Sequence, residues 1–404
     1  MQPFVFSDNP QYWFETLRAL GHSSYGGSEA GEVVATAQRI RSGDDDSWHD
    51  EWRTTAERVA AAAAAAAAAG HPVSARDGML RASTYYRAAE FFLHGNPDDP
   101  RVRHAYSRSV ECFRQFASRA TTSIEPVEIP YDGVTLQGYF YSGGDGRRPT
   151  LVMHNGFDGS VEEMHFFGAA AAAERGYHVL TFDGPGQPSA RVRHGLPFRP
   201  DWEHVVGQVL DWLLDRTDVD ATRIGLLGVS LGGFLAPRAA AFEPRLAACV
   251  AVDGVYDLGV LSTAQFPMPR EMAEEMLRAP EAPEVDAALE EAMRSDPTSR
   301  WAMVHGCYVM SVDTPREFLA SYLDYHLRDG IAEQIACPTL VCMAAGDAFF
   351  EGQPEALFAH LTCPAELLVF DAELGADAHC HVGAQRGAFG RILDWVDGVL
   401  TTTG

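Results

Sequence analysis

A serine flanked by two glycines is the residue in this chain best placed for chemistry. Ser230 lies in the segment GVSLG, with Gly228 and Gly232 two positions away on either side. An apolar run precedes it and a small-residue helical pattern follows it, so the sequence predicts a sharp turn between a strand, 224–229, and a helix. Such a turn needs small neighbours and presents the serine hydroxyl as a nucleophile. The alternative is an ordinary serine in a glycine-rich loop, and the surrounding strand and helix patterns favour the nucleophile.

A serine hydroxyl is a weak nucleophile, so it needs a base and an acid that orients the base. After a turn of this type, the acid comes next in the chain and the histidine follows it. Asp347 follows an apolar run in LVCMAAGD, and the segment ADAHCHV offers His379 and His381. Spacing alone does not separate the two histidines. Asp347 is also placed to cap the helix expected near Pro354.

Attack on a carbonyl carbon creates an oxyanion, which backbone N–H groups can stabilise. Leu231, directly after the serine, is predicted to supply one donor. The second donor is expected from HNGFDG, a loop that follows an earlier strand, with Phe157 or Gly156 as the residue. Glycine in this loop allows the backbone to approach a substrate closely.

Several other residues are weaker candidates for the site. Asp253 and Asp257 follow the next strand and could act as a second acid, although loop or capping roles are the expectation. Four residues of a later helical segment either line a substrate pocket or pack against each other: Trp301, His305, Tyr308 and Met310. The HCH segment has no second ligand cluster, so no metal site is predicted, and no cofactor is predicted either.

Alternating short apolar strands and amphipathic helices must position these residues. This alternation runs through residues 123–404 and predicts an α/β fold whose sheet is mostly parallel and covered on both faces. Residues 1–122 read as a separate bundle of helices, including a run of ten alanines, 60–69, interpreted as packed helix. Residues 256–335 interrupt the alternation with several helices. An insertion at this point would cap the carboxyl ends of the strands, where such sheets bind ligands.

Composition excludes several classes of protein. The formal net charge of −25 repels phosphate backbones and anionic lipid, so we expect no binding to nucleic acid or membrane surfaces. The alanine run is too short and too weakly apolar to span a bilayer. The amino terminus lacks the pattern of a signal peptide, and seven scattered cysteines fit reduced thiols. The expected location is therefore the cytoplasm.

Five segments in order resemble one group of α/β hydrolases: HNGFDGSVEEM, FDGPGQ, GVSLGGFLAPRAA, CPTLV followed by GDAFFEGQPEALF, and ADAHCHVGA. The group includes 2,6-dihydroxypseudooxynicotine hydrolase, the fungal polyketide-shortening hydrolases and FrsA-like esterases. By position, the resemblance implies a triad of Ser230, Asp347 and His379. The group's histidine is followed by cysteine, which favours His379 over His381. The resemblance also implies an α/β-hydrolase fold with an N-terminal helical domain, cleavage of carbon–carbon bonds next to ketones as well as of esters, and a homodimer.

The leading hypothesis is a serine hydrolase that acts on a small-molecule carbonyl compound, a ketone or an ester, in secondary metabolism or aromatic catabolism. Three alternatives remain open at this stage. The same pocket could serve acyl transfer, or a non-hydrolytic lyase or cyclase reaction. The chain could also be a non-catalytic scaffold, which an intact triad argues against.

Overall fold

The computed structural model describes residues 2–96 and 98–401, so the predicted outer limits at residues 1 and 404 lie outside the described residues. The strands are β1 Ile124–Tyr131, β2 Val134–Tyr141, β3 Arg148–His154, β4 His178–Phe182, β5 Val219–Val229, β6 Ala248–Val252, β7 Thr339–Ala344 and β8 Ala365–Phe370. The helices before and between the first strands are α1 Pro10–Gly21, α2 Ala30–Ala37, α3 Asp45–Ala68, α4 Pro72–Glu90, α5 Pro100–Ala117, α6 Ala169–Glu174, α7 Pro188–His194 and α8 Glu203–Leu214. The later helices are α9 Gly232–Phe242, α10 Leu258–Thr263, α11 Arg270–Arg278, α12 Pro283–Ser295, α13 Pro297–Met310, α14 Pro315–Tyr322, α15 Gln353–His360 and α16 Gln385–Leu400.

The eight strands form one sheet in the order β1-β2-β4-β3-β5-β6-β7-β8. Strand β2 runs antiparallel to its neighbours β1 and β4, and the pairs from β4 to β8 are parallel. Strands β4 and β6 are buried along their whole length, as expected for central strands covered by helices on both faces. The predicted α/β class with a mostly parallel sheet is therefore confirmed.

Two apolar cores lie on opposite faces of the sheet. One joins α16 and the inward faces of the N-terminal helices to the sheet, with Trp48 and Trp52 of α3 fully buried. The other joins α8, α9 and the inserted helices to the opposite face. Because the N-terminal helices share a core with the sheet, side chains from α1 and α4 can reach the functional site.

The alanine run forms the second half of α3 and packs against α4. A Cβ atom added at Gly78 of α4 would lie 2.7 Å from the Cβ of Ala63, so the absent side chain lets the two helices approach closely. Within the described residues, no helix is long and apolar enough to cross a membrane. All seven cysteines lie in the described part of the chain and none forms a disulfide, in agreement with the predicted free thiols.

Five helices, α10 to α14, lie between β6 and β7, in the segment where an insertion was expected. Helix α14 begins with a capping box formed by Thr314 and Glu317, which satisfies backbone donors at the helix start. Residues of α10, α13 and α14 line the same cavity as Ser230. This insertion, residues 256–335, is called the cap below.

Candidate active site

Ser230 occupies a strained turn between β5 and α9. Its φ angle is +63°, in the left-handed region that non-glycine residues rarely adopt. A Cβ atom at Gly228 would lie 2.0 Å from the carbonyl oxygen of Gly232, so glycine is required at position 228 for the turn to close. The Ser230 N–H donates to the Val252 carbonyl of β6 at 3.1 Å, which fixes the turn against the neighbouring strand.

The side chains of Ser230, His379 and Asp347 form a continuous line of hydrogen bonds. His379 Nε2 lies 2.9 Å from Ser230 Oγ, and His379 Nδ1 lies 2.7 Å from Asp347 Oδ2. The other carboxylate oxygen of Asp347 accepts the backbone N–H groups of Phe349, at 2.7 Å, and Phe350, at 3.3 Å. The three residues come from the loops after β5, β7 and β8, at one edge of the sheet.

His381 lies apart from this line. Its Nδ1 atom donates to the Ala376 carbonyl at 3.0 Å, and its ring packs on Phe370 with 4.1 Å between ring centroids. The ring is fully buried. The two histidines of the HCH segment therefore have different partners, and only His379 contacts Ser230.

Asp253 reaches the site, contrary to the expected loop or capping role. Its Oδ2 atom lies 3.1 Å from His379 Nδ1 and accepts the Cys380 N–H. The contact requires a tight turn after β6, where Asp253 itself has a φ of +56°. Asp257, in contrast, caps α10 by accepting the Gly259 N–H at 2.9 Å, as expected.

The pKa values of the two carboxyl partners of His379 are shifted in opposite directions. Burial opposes ionisation of Asp347, but the adjacent His379 and two backbone donors outweigh it and lower the pKa of Asp347. Burial is the dominant influence on Asp253 and raises its pKa. For His379, burial favours the neutral ring, yet the Asp347 carboxylate raises its pKa well above the ordinary value. Asp347 is thus the anionic partner of the histidine.

The loop after β3, residues 155–162, approaches the serine turn closely and is called the β3 loop below. A Cβ atom at Gly156 would lie 2.4 Å from the Leu231 nitrogen. The Gly156 N–H donates to Asn155 Oδ1 at 2.9 Å and is not free to bind a substrate, so the expectation for Gly156 is corrected. The N–H groups of Phe157 and Leu231 have no acceptor within residues 2–96 and 98–401.

Ser230 and His379 line a cavity of about 160 Å³ whose walls are mostly apolar. Of the four pocket residues expected on α13, Trp301 lines this cavity. His305 instead binds the Phe157 carbonyl at 3.0 Å, and Tyr308 lines a neighbouring cavity. Met310 is buried at the end of the helix against Tyr325. The structure places these three residues away from this cavity, because helical spacing does not reveal which face of α13 meets it.

Several aromatic residues of the cavity were missed in the sequence, and three of them lie close to His379. Phe349 and Phe350 pack on the His379 ring with centroid distances of 5.0 and 5.1 Å. Phe14 of α1 packs on Phe349 at 5.8 Å. Phe349 and Phe350 follow Asp347 closely in GDAFF, so the sequence could have indicated them. Phe14 is more than 200 positions from Ser230 in the chain, and no local pattern indicates the contact.

A buried group of charges holds the β3 loop against the N-terminal helices. Arg18 of α1 binds Asp158 at 2.7 Å and Glu163 at 3.0 Å. Arg87 of α4 binds the same Glu163 at 2.8 Å and also donates to the Asp158 carbonyl. Because all four side chains are at most slightly exposed, these ion pairs are poorly screened and fix the loop firmly.

Residues 16–291 match the family described as esterase FrsA-like. The chain belongs to the FrsA-like esterase family. It is 35% identical over 401 residues to hydrolase LUC6 of a Fusarium species, and equally identical over the same length to 20-hydroxy-prefusarin hydrolase FUS2 of Gibberella moniliformis. Each alignment covers 95% of this chain and 95% of the relative. Hydrolase acrC of Aspergillus aculeatus is 36% identical over 374 residues, which cover 86% of this chain and 85% of the relative.

Two solved structures have a fold similar to that of this chain. The crystal structure of 2,6-dihydroxy-pseudo-oxynicotine hydrolase matches with a TM-score of 0.73 and 25% identity, covering 94% of this chain and 95% of the other. The structure titled AbyA5 wildtype shares the fold, with a TM-score of 0.61, 20% identity, and coverage of 92% and 94%. The protein is an enzyme of the α/β-hydrolase type, and the predicted fold and family are confirmed.

Proposed function

We propose that this enzyme is a serine hydrolase in which Ser230 attacks a carbonyl carbon of a small molecule. The observation that carries the proposal is the hydrogen-bonded line from Asp347 through His379 to Ser230. His379 removes the serine proton as the new C–O bond forms, and Asp347 fixes the tautomer and stabilises the imidazolium. The N–H groups of Leu231 and Phe157 bind the resulting oxyanion.

Collapse of the tetrahedral intermediate breaks the bond to the leaving group, which takes the proton from His379. An alkoxide leaves from an ester, and a stabilised carbanion or enolate leaves from a ketone whose carbon–carbon bond is cleaved. Water, activated by His379, then attacks the acyl-serine and releases the acid. The cavity of about 160 Å³, walled by Phe14, Phe157 and Trp301, supports a compact, largely apolar acyl group.

The serine variant tests this function directly. Ser230→Ala should lower kcat toward an activated ester by about 10⁴-fold or more, since the nucleophile is removed while the binding site is kept. A fluorophosphonate should label the wild type at Ser230, as located by peptide mass spectrometry. Ser262 lines the same cavity, and Ser262→Ala should be labelled like the wild type.

Equal labelling of the wild type and Ser230→Ala would reject Ser230 as the nucleophile. The products separate the remaining chemistry. An acid released with water identifies hydrolysis, whereas an ester or amide formed with an added alcohol or amine identifies acyl transfer. Turnover without an acyl-serine adduct in rapid-quench mass spectrometry would indicate lyase or cyclase chemistry instead.

A further inference from the structure

Three hydrogen bonds join the N-terminal helices, the cap and the β3 loop in one buried chain. Glu90, the last residue of α4, lies 2.5 Å from His94 Nε2. His94 Nδ1 lies 2.8 Å from His305 Nδ1 on α13, and His305 Nε2 lies 3.0 Å from the Phe157 carbonyl oxygen. All three side chains are buried, and none of them contacts Ser230, His379 or Asp347.

The hydrogens available on the two histidine rings determine which atom donates in each of these hydrogen bonds. A carbonyl oxygen only accepts, so His305 Nε2 must carry the hydrogen that faces Phe157. Burial lowers the pKa of His305 to about 3, so its ring is neutral and its Nδ1 atom has a free lone pair. His94 Nδ1 must therefore donate to His305. Each ring therefore donates its hydrogen bond in the direction of the β3 loop.

The remaining bond, between His94 Nε2 and Glu90, shares one further hydrogen. Burial disfavours ionisation of Glu90, but His94 and Arg87 nearby outweigh it and lower the pKa of Glu90. Glu90 thus engages the second ring nitrogen of His94 and leaves Nδ1 to donate to His305. The Tyr308 ring stacks on His94 at 4.8 Å and holds its plane. The His94 ring, hydrogen-bonded at both nitrogens, in turn fixes the tautomer of His305.

We propose that His305 is a positioning residue for oxyanion binding, held in its donor tautomer by Glu90 and His94. The inference rests on the proposed function, since it concerns the Phe157 N–H of that mechanism. Fixing the carbonyl of Phe157 restricts the backbone of the same residue whose N–H binds the oxyanion. A donor held in place before the reaction costs no reorganisation in the transition state. The helices outside the sheet thus set the geometry of the reaction.

Two variants of His305 test the inference. Phenylalanine keeps the ring that stacks on Trp301 but cannot form hydrogen bonds with Phe157 or His94. Glutamine offers both a hydrogen-bond donor and an acceptor. H305F should lower kcat/KM toward an activated ester about 10- to 100-fold, as expected for a displaced catalytic group. Its affinity for a trifluoromethyl ketone, which forms an oxyanion on Ser230, should fall by a similar factor. H305Q should stay within a few-fold of the wild type in both measurements.

Thermal unfolding identifies the variants that keep the fold. If H305F is unstable, His305→Asn replaces it, because the asparagine side chain is too short to reach both partners. Cys307→Ala, on the same helix but facing the neighbouring cavity, is the control and should leave both measurements unchanged. Wild-type affinity of H305F for the ketone, or an H305Q variant as impaired as H305F, would overturn the inference. If the wild-type enzyme forms no Ser230 adduct, the proposed function fails first and the inference fails with it.

Discussion

His379 lies beside two carboxyl groups whose pKa values are shifted in opposite directions. Asp347 binds its Nδ1 atom at 2.7 Å and also accepts two backbone N–H groups, which stabilise the anion. Asp253 lies 3.1 Å from the same nitrogen, is fully buried, and has one oxygen without a hydrogen-bond partner in the described part of the chain. Burial raises the pKa of Asp253, whereas the pKa of Asp347 is lowered, so Asp347 is the more readily ionised of the two. Its role is to hold the turn at Cys380 that presents His379.

Replacement of each carboxyl group by an amide distinguishes these roles. Asp347→Asn should lower kcat by about 10⁴-fold, because the amide no longer stabilises the imidazolium and favours the wrong tautomer. Asp253→Asn keeps an amide oxygen that can accept the Cys380 N–H, so we expect a loss of only a few-fold. Steady-state kinetics with an activated ester measure both. A larger loss in Asp253→Asn than in Asp347→Asn would assign the charge to Asp253.

The raised pKa of His379 predicts the acid limb of the pH profile. Burial opposes protonation, but the Asp347 carboxylate outweighs it and raises the pKa of His379 above the ordinary histidine value of about 6.5. The protonated ring cannot accept the serine proton, so kcat/KM should rise with pH and reach half its maximum above pH 6.5. A pH series of kcat/KM measures this midpoint. A midpoint below pH 6.5 would contradict the charge pairing at the site.

At the residue scale, sequence reasoning found what a short motif encodes. Gly228 is required by local crowding at the turn, so GVSLG was sufficient to place Ser230 on that turn. Asp253 could not be assigned in the same way. Its contact with His379 depends on a left-handed turn after β6 and on the path of the loop around Cys380. Neither feature has a sequence pattern, because both result from packing between distant segments.

Helix α1 connects the N-terminal helices to the site through three nearby side chains. Phe14 lines the cavity, Arg18 holds the β3 loop, and Glu15 lies between them, 3.6 Å from Arg18. Burial raises the pKa of Glu15 to about 8, and the partial compensation by Arg18 does not reverse this. Glu15 is therefore protonated in the folded protein at neutral pH. In the unfolded chain it ionises near its ordinary value of about 4.3.

The protonated Glu15 predicts how stability depends on pH. A pKa raised by folding contributes stability that is present below about pH 4.3 and lost as pH rises toward 8. Glu15→Gln resembles the protonated acid but does not titrate. As pH rises through this window, the free energy of unfolding of Glu15→Gln relative to that of the wild type should therefore increase by up to about 1.4 kcal/mol per pH unit. Denaturant unfolding of both proteins at pH 5, 6.5 and 8 measures the difference, and a constant difference would contradict a buried, protonated Glu15.

At the scale of elements, the alternation of apolar strands and amphipathic helices was enough to predict the sheet. Burial of whole strands such as β4 and β6 makes their sequences continuously apolar, and this pattern is easy to recognise. The face of α13 that meets the cavity could not be predicted, because this helix has neighbours on several sides. Its Trp301 lines the cavity, while Tyr308 packs on His94 from the N-terminal segment. Only the assembled fold decides which neighbour each residue meets.

The whole molecule encloses the site between the N-terminal helices, the sheet and the cap. Helix α13 separates the site cavity of about 160 Å³ from a larger one of about 510 Å³ on its other side. Met303 lines both cavities and is buried between them. Met293 of α12 lines only the larger one. We therefore expect the Met303 side chain to limit the length of an acyl group bound to Ser230.

Shortening this side chain should join the two cavities. Met303→Ala should shift the preferred p-nitrophenyl ester from short to longer acyl chains, because the acyl group gains access to the larger space. Deleting a buried methionine costs about 2–5 kcal/mol of stability, so the kinetics are measured well below the melting temperature. Ratios of kcat/KM from acetate to decanoate report the shift, and Met293→Ala should keep the wild-type order. If Met303→Ala loses activity equally toward all chain lengths, Met303 supports the fold of the cap and does not limit the substrate.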